Sequence, residues 1–263
     1  MITHRLGLAR DVGVGAAVGT FSGVFGVGGG IQLIPYLVLV RKMAQKNAQA
    51  TALITVAMGA AAGGITYALG DSVAWMPAAF IVIGGLVGSL IGSHVVQRIS
   101  DKRLQIFFGI LLVFVAIRLV LTSTSATESV VDLPTITPLI ALAYLGSGLA
   151  MGILSALFGI GGGILIIPIL VTGFGYGQQL AAGTSLAVMM PIALLGAIRL
   201  TKPGFTNWRT GSIFGVASMP GAVLGSYIAL SLPGDILRSG FAVVLVVIAI
   251  TIVRKGLKAS AQT

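Results

Sequence analysis

Phe25-Gly26-Val27-Gly28-Gly29-Gly30-Ile31-Gln32-Leu33-Ile34-Pro35 returns later in the chain as Phe158-Gly159-Ile160-Gly161-Gly162-Gly163-Ile164-Leu165-Ile166-Ile167-Pro168. The two stretches lie 133 residues apart, Pro35 against Pro168. The same offset aligns Gly15, Gly19 and Ser22 with Gly148, Gly152 and Ser155, and Thr51 and Leu53 with Thr184 and Leu186. It aligns Trp75 with Trp208, the only two tryptophans, and Gly88, Gly92 and Ser93 with Gly221, Gly225 and Ser226. Such a duplication in an apolar chain is the mark of a membrane protein built from two structural repeats, the plan of many transporters.

Composition agrees. The 263 residues are 56% hydrophobic and 8% charged, against about 25% charged in a soluble domain. A chain of this length has no room for a soluble domain beside the membrane part. A net charge of +10 would suggest nucleic acid in a soluble protein. Here the basic residues fall between apolar runs, where they set topology, and no nucleic-acid partner is expected. There is no cysteine, so disulfides, thiol chemistry and cysteine metal sites are excluded. Arg5 and Arg10 ahead of an apolar run resemble a signal peptide. The first repeat already begins at Gly15 and Gly19 inside that run, so the segment is expected to be retained.

Apolar segments lie near 12–40, 47–70, 76–97 and 104–121, and again near 139–172, 180–199, 211–231 and 239–253. Most suit a helix of about 20 residues crossing a bilayer. They lack the alternation of a β-barrel. The expected fold is therefore all-α and integral to the membrane, with about eight hydrophobic segments. Residues 1–122 form repeat 1, 123–138 a linker outside the cytoplasm, and 139–263 repeat 2.

The first segment of each repeat is longer and broken by glycines, each costing a helix about 1 kcal/mol relative to alanine. Charge decides whether it crosses or turns back. If every segment crosses, the 16 Lys and Arg residues split evenly between the two sides. If the glycine-broken segments re-enter and return, 14 of the 16 fall on one side, with both termini, and the linker bearing Glu128 and Asp132 falls on the other. Basic residues mark the cytoplasm, so the second topology is preferred. Each repeat then has one re-entrant hairpin and three crossings. Three being odd, the repeats are inverted about an axis in the membrane plane. Trp75 would sit at the outer interface and Trp208 at the inner one. Depth of the hairpins stays open, because 139–158 is long enough to cross.

A helix broken inside a bilayer leaves N–H groups that lipid cannot satisfy. The breaks present the starts of short helices, where free N–H groups and the dipole favour an anion, and glycine lets a ligand approach the backbone. The candidate substrate-binding residues are Gly28, Gly29, Gly30, Ile31 and Gln32 in the first repeat, and Gly161, Gly162, Gly163 and Ile164 in the second. Thr51, Thr184 and Ser185 follow the breaks and could donate to an oxyanion. The plainer alternatives are that the glycines only permit close packing and that the hydroxyls bond backbone carbonyls. Asn47 and Gln49 read as loop residues. Glycines four apart, at 84, 88 and 92 and at 221 and 225, read as helix-packing positions. His94 and Arg118 sit near helix ends.

No acidic residue reads as mid-span: Asp11, Asp71, Asp101, Glu128, Asp132 and Asp235 fall at ends or in loops, which gives a carboxylate proton relay no support. Motifs for ATP, for a zinc protease and for a nucleophile elbow are absent, so no catalytic residue, metal or cofactor is expected. A coupling ion, H+ or Na+, and the oligomeric state stay open.

Gly23-Val24-Phe25-Gly26-Val27-Gly28-Gly29-Gly30 with Pro35, and Leu157-Phe158-Gly159-Ile160-Gly161-Gly162-Gly163 with Pro168, followed by Ala50-Thr51-Ala52-Leu53 and Gly183-Thr184-Ser185-Leu186, resemble the sulfite exporter TauE/SafE family over nearly the whole chain. The resemblance implies a bacterial or archaeal-type inner-membrane permease for sulfite or small organosulfonates such as sulfoacetate. An anion channel with the same hairpins as filter, and a membrane enzyme or assembly factor, are the rival readings.

Overall fold

The computed structural model describes residues 2–100, 136–241 and 243. The expected crossings at 104–121 and most of 239–253, most of the 123–138 linker, and Arg118 lie outside the described residues. All described elements are helical: α1 Ile2–Phe25, α2 Gly30–Leu39, α3 Gln45–Leu69, α4 Trp75–Arg98, α5 Pro138–Phe158, α6 Gly163–Pro168, α7 Gln178–Thr201 and α8 Trp208–Ser231. A π-turn, Ile169–Gly173, continues α6, and a further helix starts at 234. Helices α3, α4, α5, α7 and α8 are long and apolar enough to cross a membrane.

The sequence offset reappears in the helix boundaries. α1 and α5 end at Phe25 and Phe158, α2 and α6 begin at Gly30 and Gly163, α3 and α7 at Gln45 and Gln178, and α4 and α8 at Trp75 and Trp208. Each pair is 133 residues apart. Local chemistry explains the repeated stops. Gly26, Gly28 and Gly29 hold φ of 71°, 78° and 66°, and Gly159, Gly161 and Gly162 hold 68°, 81° and 82°. A right-handed helix cannot pass through such residues, and side chains other than glycine rarely adopt them.

Packing pairs each repeat with the other. α1 lies parallel to α8, with Gly15 against Phe214 and Ala217, Gly19 against Ser218, and Gly23 against Ala222 and Ser226. From α8, Gly221 and Gly225 meet Ala16 and Thr20. Helices α4 and α5 repeat the arrangement: Gly148 meets Ile81, Gly152 meets Gly85, and Gly88 and Gly92 meet Leu149 and Ile153. At most of these glycines the approach is backbone to backbone, so any Cβ would strike a carbonyl. The glycines four apart are thus packing positions, as read from the sequence.

α3 and α7 form the centre and are the most buried of the long helices. They run antiparallel: Gly63 packs on Leu186, Gly64 on Ala187, Gly183 on Tyr67 and Gly196 on Leu53. Tyr67 is fully buried and its hydroxyl donates to Gly23 O at 3.0 Å, tying α3 to the last turn of α1. Removing that hydroxyl by Tyr67→Phe leaves the carbonyl without this donor. The expected loss is about 1 kcal/mol, seen as a lower unfolding temperature in detergent with the fold retained.

Candidate functional site

Beyond each break the chain turns back along the helix it has left. Gly29, at the start of α2, packs on Val18 of α1, and Tyr36, near the end of α2, reaches Asp11 and Arg10. In the second repeat Gly162 packs on Met151, and Phe174 stacks on Tyr144. The two breaks then meet each other. A Cβ on Gly30 would strike Gly159 O and lie 2.7 Å from Ile160 Cα, and one on Gly163 would lie 2.6 Å from Gly26 O and 2.7 Å from Val27 Cα. Val56 of α3 and Met189 of α7, again 133 residues apart, both border Gly28 and Gly161. Gly28, Gly29, Gly30 and Ile31 are thereby brought together with Gly161, Gly162, Gly163 and Ile164, all of them buried.

Neither short helix has a side-chain cap, and the first N–H groups of a helix have no intrahelical acceptor. Gly29 O and Gly162 O accept from the residues that follow, Gln32 and Leu33 in one case and Leu165 and Ile166 in the other. Among the described residues no acceptor serves the N–H groups of Gly28, Gly29, Gly161 or Gly162. Two buried hydroxyls belong to the same turns. Ser22 and Ser155, 2% and 0% exposed, have no hydrogen-bond partner for Oγ, while their carbonyls accept from Gly26 and Gly159 at 2.8 Å. Gln32 is half-buried at the first turn of α2 and makes no side-chain hydrogen bond among the described residues.

The hydroxyls on α3 and α7 are engaged with backbone. Thr184 Oγ1 accepts the Ala74 N–H at 3.0 Å, just before α4, and Thr51 Oγ1 accepts the Asn207 N–H at 3.1 Å, just before α8. Each threonine therefore holds the residue that precedes a helix of the other repeat. Ser185 donates to Gly26 O at 2.8 Å, in the first break.

Two readings from the sequence change. Asp11 is not at a helix end. It lies well inside α1, which begins some ten residues before the apolar run, and it is 3% exposed. Tyr36 donates to it at 2.6 Å and Arg41 stands 3.6 Å away, while Arg10 donates to Tyr36 at 3.0 Å. Partners across the hairpin make that burial tolerable. The positions equivalent to Asp11 and Arg41 are Tyr144 and Phe174, whose rings stack at 4.2 Å, with Tyr144 and Tyr176 hydroxyls 3.1 Å apart. One hairpin is thus closed by an ion pair and the other by aromatic rings. Nor is Gln49 a loop residue: it lies in α3 and is 2% exposed, because α3 begins at Gln45 and packs its first turns on the second break. Asn47 is in the same helix, and His94 is exposed on α4. No group of three or more His, Cys, Asp or Glu able to hold a metal occurs among the described residues.

A multi-pass helical membrane protein with two mutually packed helix breaks belongs to the architecture used by membrane transporters. The chain belongs to the sulfite exporter TauE/SafE family, whose pattern it matches over residues 2–119 and 144–263, one stretch in each repeat. It is 28% identical over 251 residues to a probable membrane transporter protein of Xylella fastidiosa, covering 94% of this chain and 95% of that one. A probable membrane transporter protein of Haemophilus influenzae is 27% identical, covering 92% and 96%. The probable membrane transporter protein YunE of Bacillus subtilis is 24% identical, covering 81% and 83%. No solved structure matches the chain.

Proposed function

We propose that this protein is a secondary transporter of a small anion, with sulfite or an organosulfonate as substrate, held where the two glycine breaks meet. The observation that carries the reading is that contact itself: buried main-chain N–H groups from both repeats, unpaired among the described residues, lie beside two serine hydroxyls likewise unpartnered. An unpaired buried N–H costs several kcal/mol in a lipid setting, and an oxyanion offers the acceptors. Gln32 adds a donor at the first break. Thr51, Thr184 and Ser185 act mainly by fixing backbone around the site, given the hydrogen bonds they make. Among the described residues no side-chain cation is found at the breaks, which suits an anion that must also leave.

The antiparallel course of α3 and α7, which are equivalent helices, supports inverted repeats in the membrane plane, and the return of α2 along α1 supports a re-entrant hairpin. In this reading both termini are cytoplasmic and the membrane is the bacterial or archaeal cytoplasmic one. Alternating access comes from one group of helices moving against the other. In that inverted arrangement the ionic closure at Asp11 and the aromatic closure at Tyr144 would stand at opposite mouths.

Purified protein in liposomes tests this directly. Sulfite or sulfoacetate flux that saturates with concentration and needs no other protein is the expected result. Flux indistinguishable from empty liposomes for sulfite and for every sulfonate tried would remove the reading. Discrete single-channel currents would replace it with a channel.

A further inference from the structure

We propose that Gln49 and Ser155 are the substrate-selecting pair, and that the preferred substrate is an oxyanion carrying a hydrogen-bond donor of its own; this rests on the anion site placed at the glycine breaks. The two breaks are alike in backbone but not in the side chains around them. Gly159 is flanked by both proposed residues. Ser155 O accepts its N–H at 2.8 Å, and a Cβ on it would lie 2.7 Å from Gln49 Cα. Gln49 also shares a face of α3 with Val56, seven residues on, and Val56 borders Gly28 and Gly161. Gln49 is therefore on the face that packs against the breaks. It is 2% exposed and its Oε1 has no partner, and Ser155 is fully buried with an unpartnered Oγ.

The first break is furnished differently. The position equivalent to Gln49 is Ala182, whose Cα lies 2.6 Å from a Cβ built on Gly26. Ser22, the equivalent of Ser155, keeps an unpartnered Oγ there, and a second hydroxyl, Ser185, is committed to Gly26 O. Its equivalent on α3 is Ala52, so no hydroxyl comes from that position to Gly159 O. The second break is thus left with an unpartnered buried amide oxygen, Gln49 Oε1, where the first has Ala182.

What is left over has a definite chemistry. A serine hydroxyl donates to an anionic oxygen. An amide oxygen only accepts, so it matches a hydroxyl, an ammonium or the acid proton of a partly protonated oxyanion. A fully deprotonated, symmetrical oxyanion has no proton for Gln49 Oε1 and pairs with this side chain only if the amide turns its NH2 group toward it. A site that buries such a group discriminates against ligands unable to pair with it.

The experiment compares uptake into proteoliposomes of three sulfonates of nearly equal size: 2-hydroxyethanesulfonate, 2-aminoethanesulfonate and ethanesulfonate, which lacks the donor. The wild-type protein is expected to favour at least one donor-bearing compound by about tenfold or more. Gln49→Leu is expected to bring that ratio to about twofold or less while ethanesulfonate uptake persists, and Ser155→Ala to slow all three. Gln49→Asn, which keeps the amide, serves if the leucine variant does not elute as a folded species; it is expected to retain a donor preference, though a smaller one. Equal uptake of all three by wild type, or an unchanged ratio in Gln49→Leu, or in Gln49→Asn where that variant serves, overturns the selectivity role while leaving the transport reading in place. Failure of wild type to move these compounds or sulfite overturns both.

Discussion

Gly19→Leu is expected to abolish the folded protein, whereas Gly13→Leu, six residues earlier on the same helix, is expected to be tolerated. A side chain at Gly19 would run into Ser218 O, with Ser218 Cα at 2.8 Å, and that neighbour is backbone, which cannot swing aside. At Gly13 nothing lies within 4 Å. The cost at Gly19 is about 3 kcal/mol or more, the upper end for overpacking, and comes on top of losing the close contact that lets two helices associate in lipid. Gly152→Leu should behave in the same way, since Gly152 meets Gly85 O as Gly19 meets Ser218 O. Size-exclusion profiles and unfolding temperatures in detergent measure the difference. Equal profiles for the variants at residues 13 and 19 would mean that α1 and α8 do not pack as described.

The largest expected effect on transport belongs to Gly28→Ala with Gly161→Ala. Both residues have φ near +80°, and at each a Cβ would meet Met189 Sδ. The strain is about 1–2 kcal/mol per residue, with the methionine contact added. The structure at stake is small, so the protein should still fold, but the geometry of the breaks should not survive. At least a tenfold fall in flux of the proposed substrate, sulfite, is expected. Met189→Ala in the same background should restore part of it, because it removes the steric component and leaves the dihedral one. Coupling between the sites is what a double-mutant cycle reads. Wild-type flux in the doubly substituted protein would remove the breaks from the transport path.

Much of this architecture could be read from the chain because the duplication is nearly gapless. An offset of 133 carries Phe25 to Phe158 and Trp75 to Trp208, and those residues do end or begin helices. The positions of the breaks follow from triplets of glycine, and the packing faces from glycines four apart. What escaped had partners distant in sequence. Thr51 and Thr184 read either as donors to a ligand or as donors to backbone carbonyls, yet both act as acceptors, for Asn207 and Ala74, more than a hundred residues away. Asp11 looked terminal because Arg10 beside it and the apolar run after it imitate a helix flank. Its burial is explained only by Tyr36 and Arg41, which the hairpin brings back. Gln49 sits among polar residues that resemble a loop, and only the second break covering it shows otherwise. The signal that could have found it is its own offset: Gln49 aligns with Ala182, one of the polar positions where the two repeats disagree.

The exchange of helices between repeats has a consequence for biosynthesis. Gly19 meets Ser218, 199 residues later, so the glycine face of α1 lacks the partner described here until α8 has been synthesised. The nascent first half must wait in the bilayer with that groove against lipid or against the insertion machinery. A ribosome stalled anywhere before α8 would release a product with an open groove, a natural target for membrane quality control. Two separately translated halves, by contrast, each carry the faces the other lacks, and could assemble after synthesis as two chains.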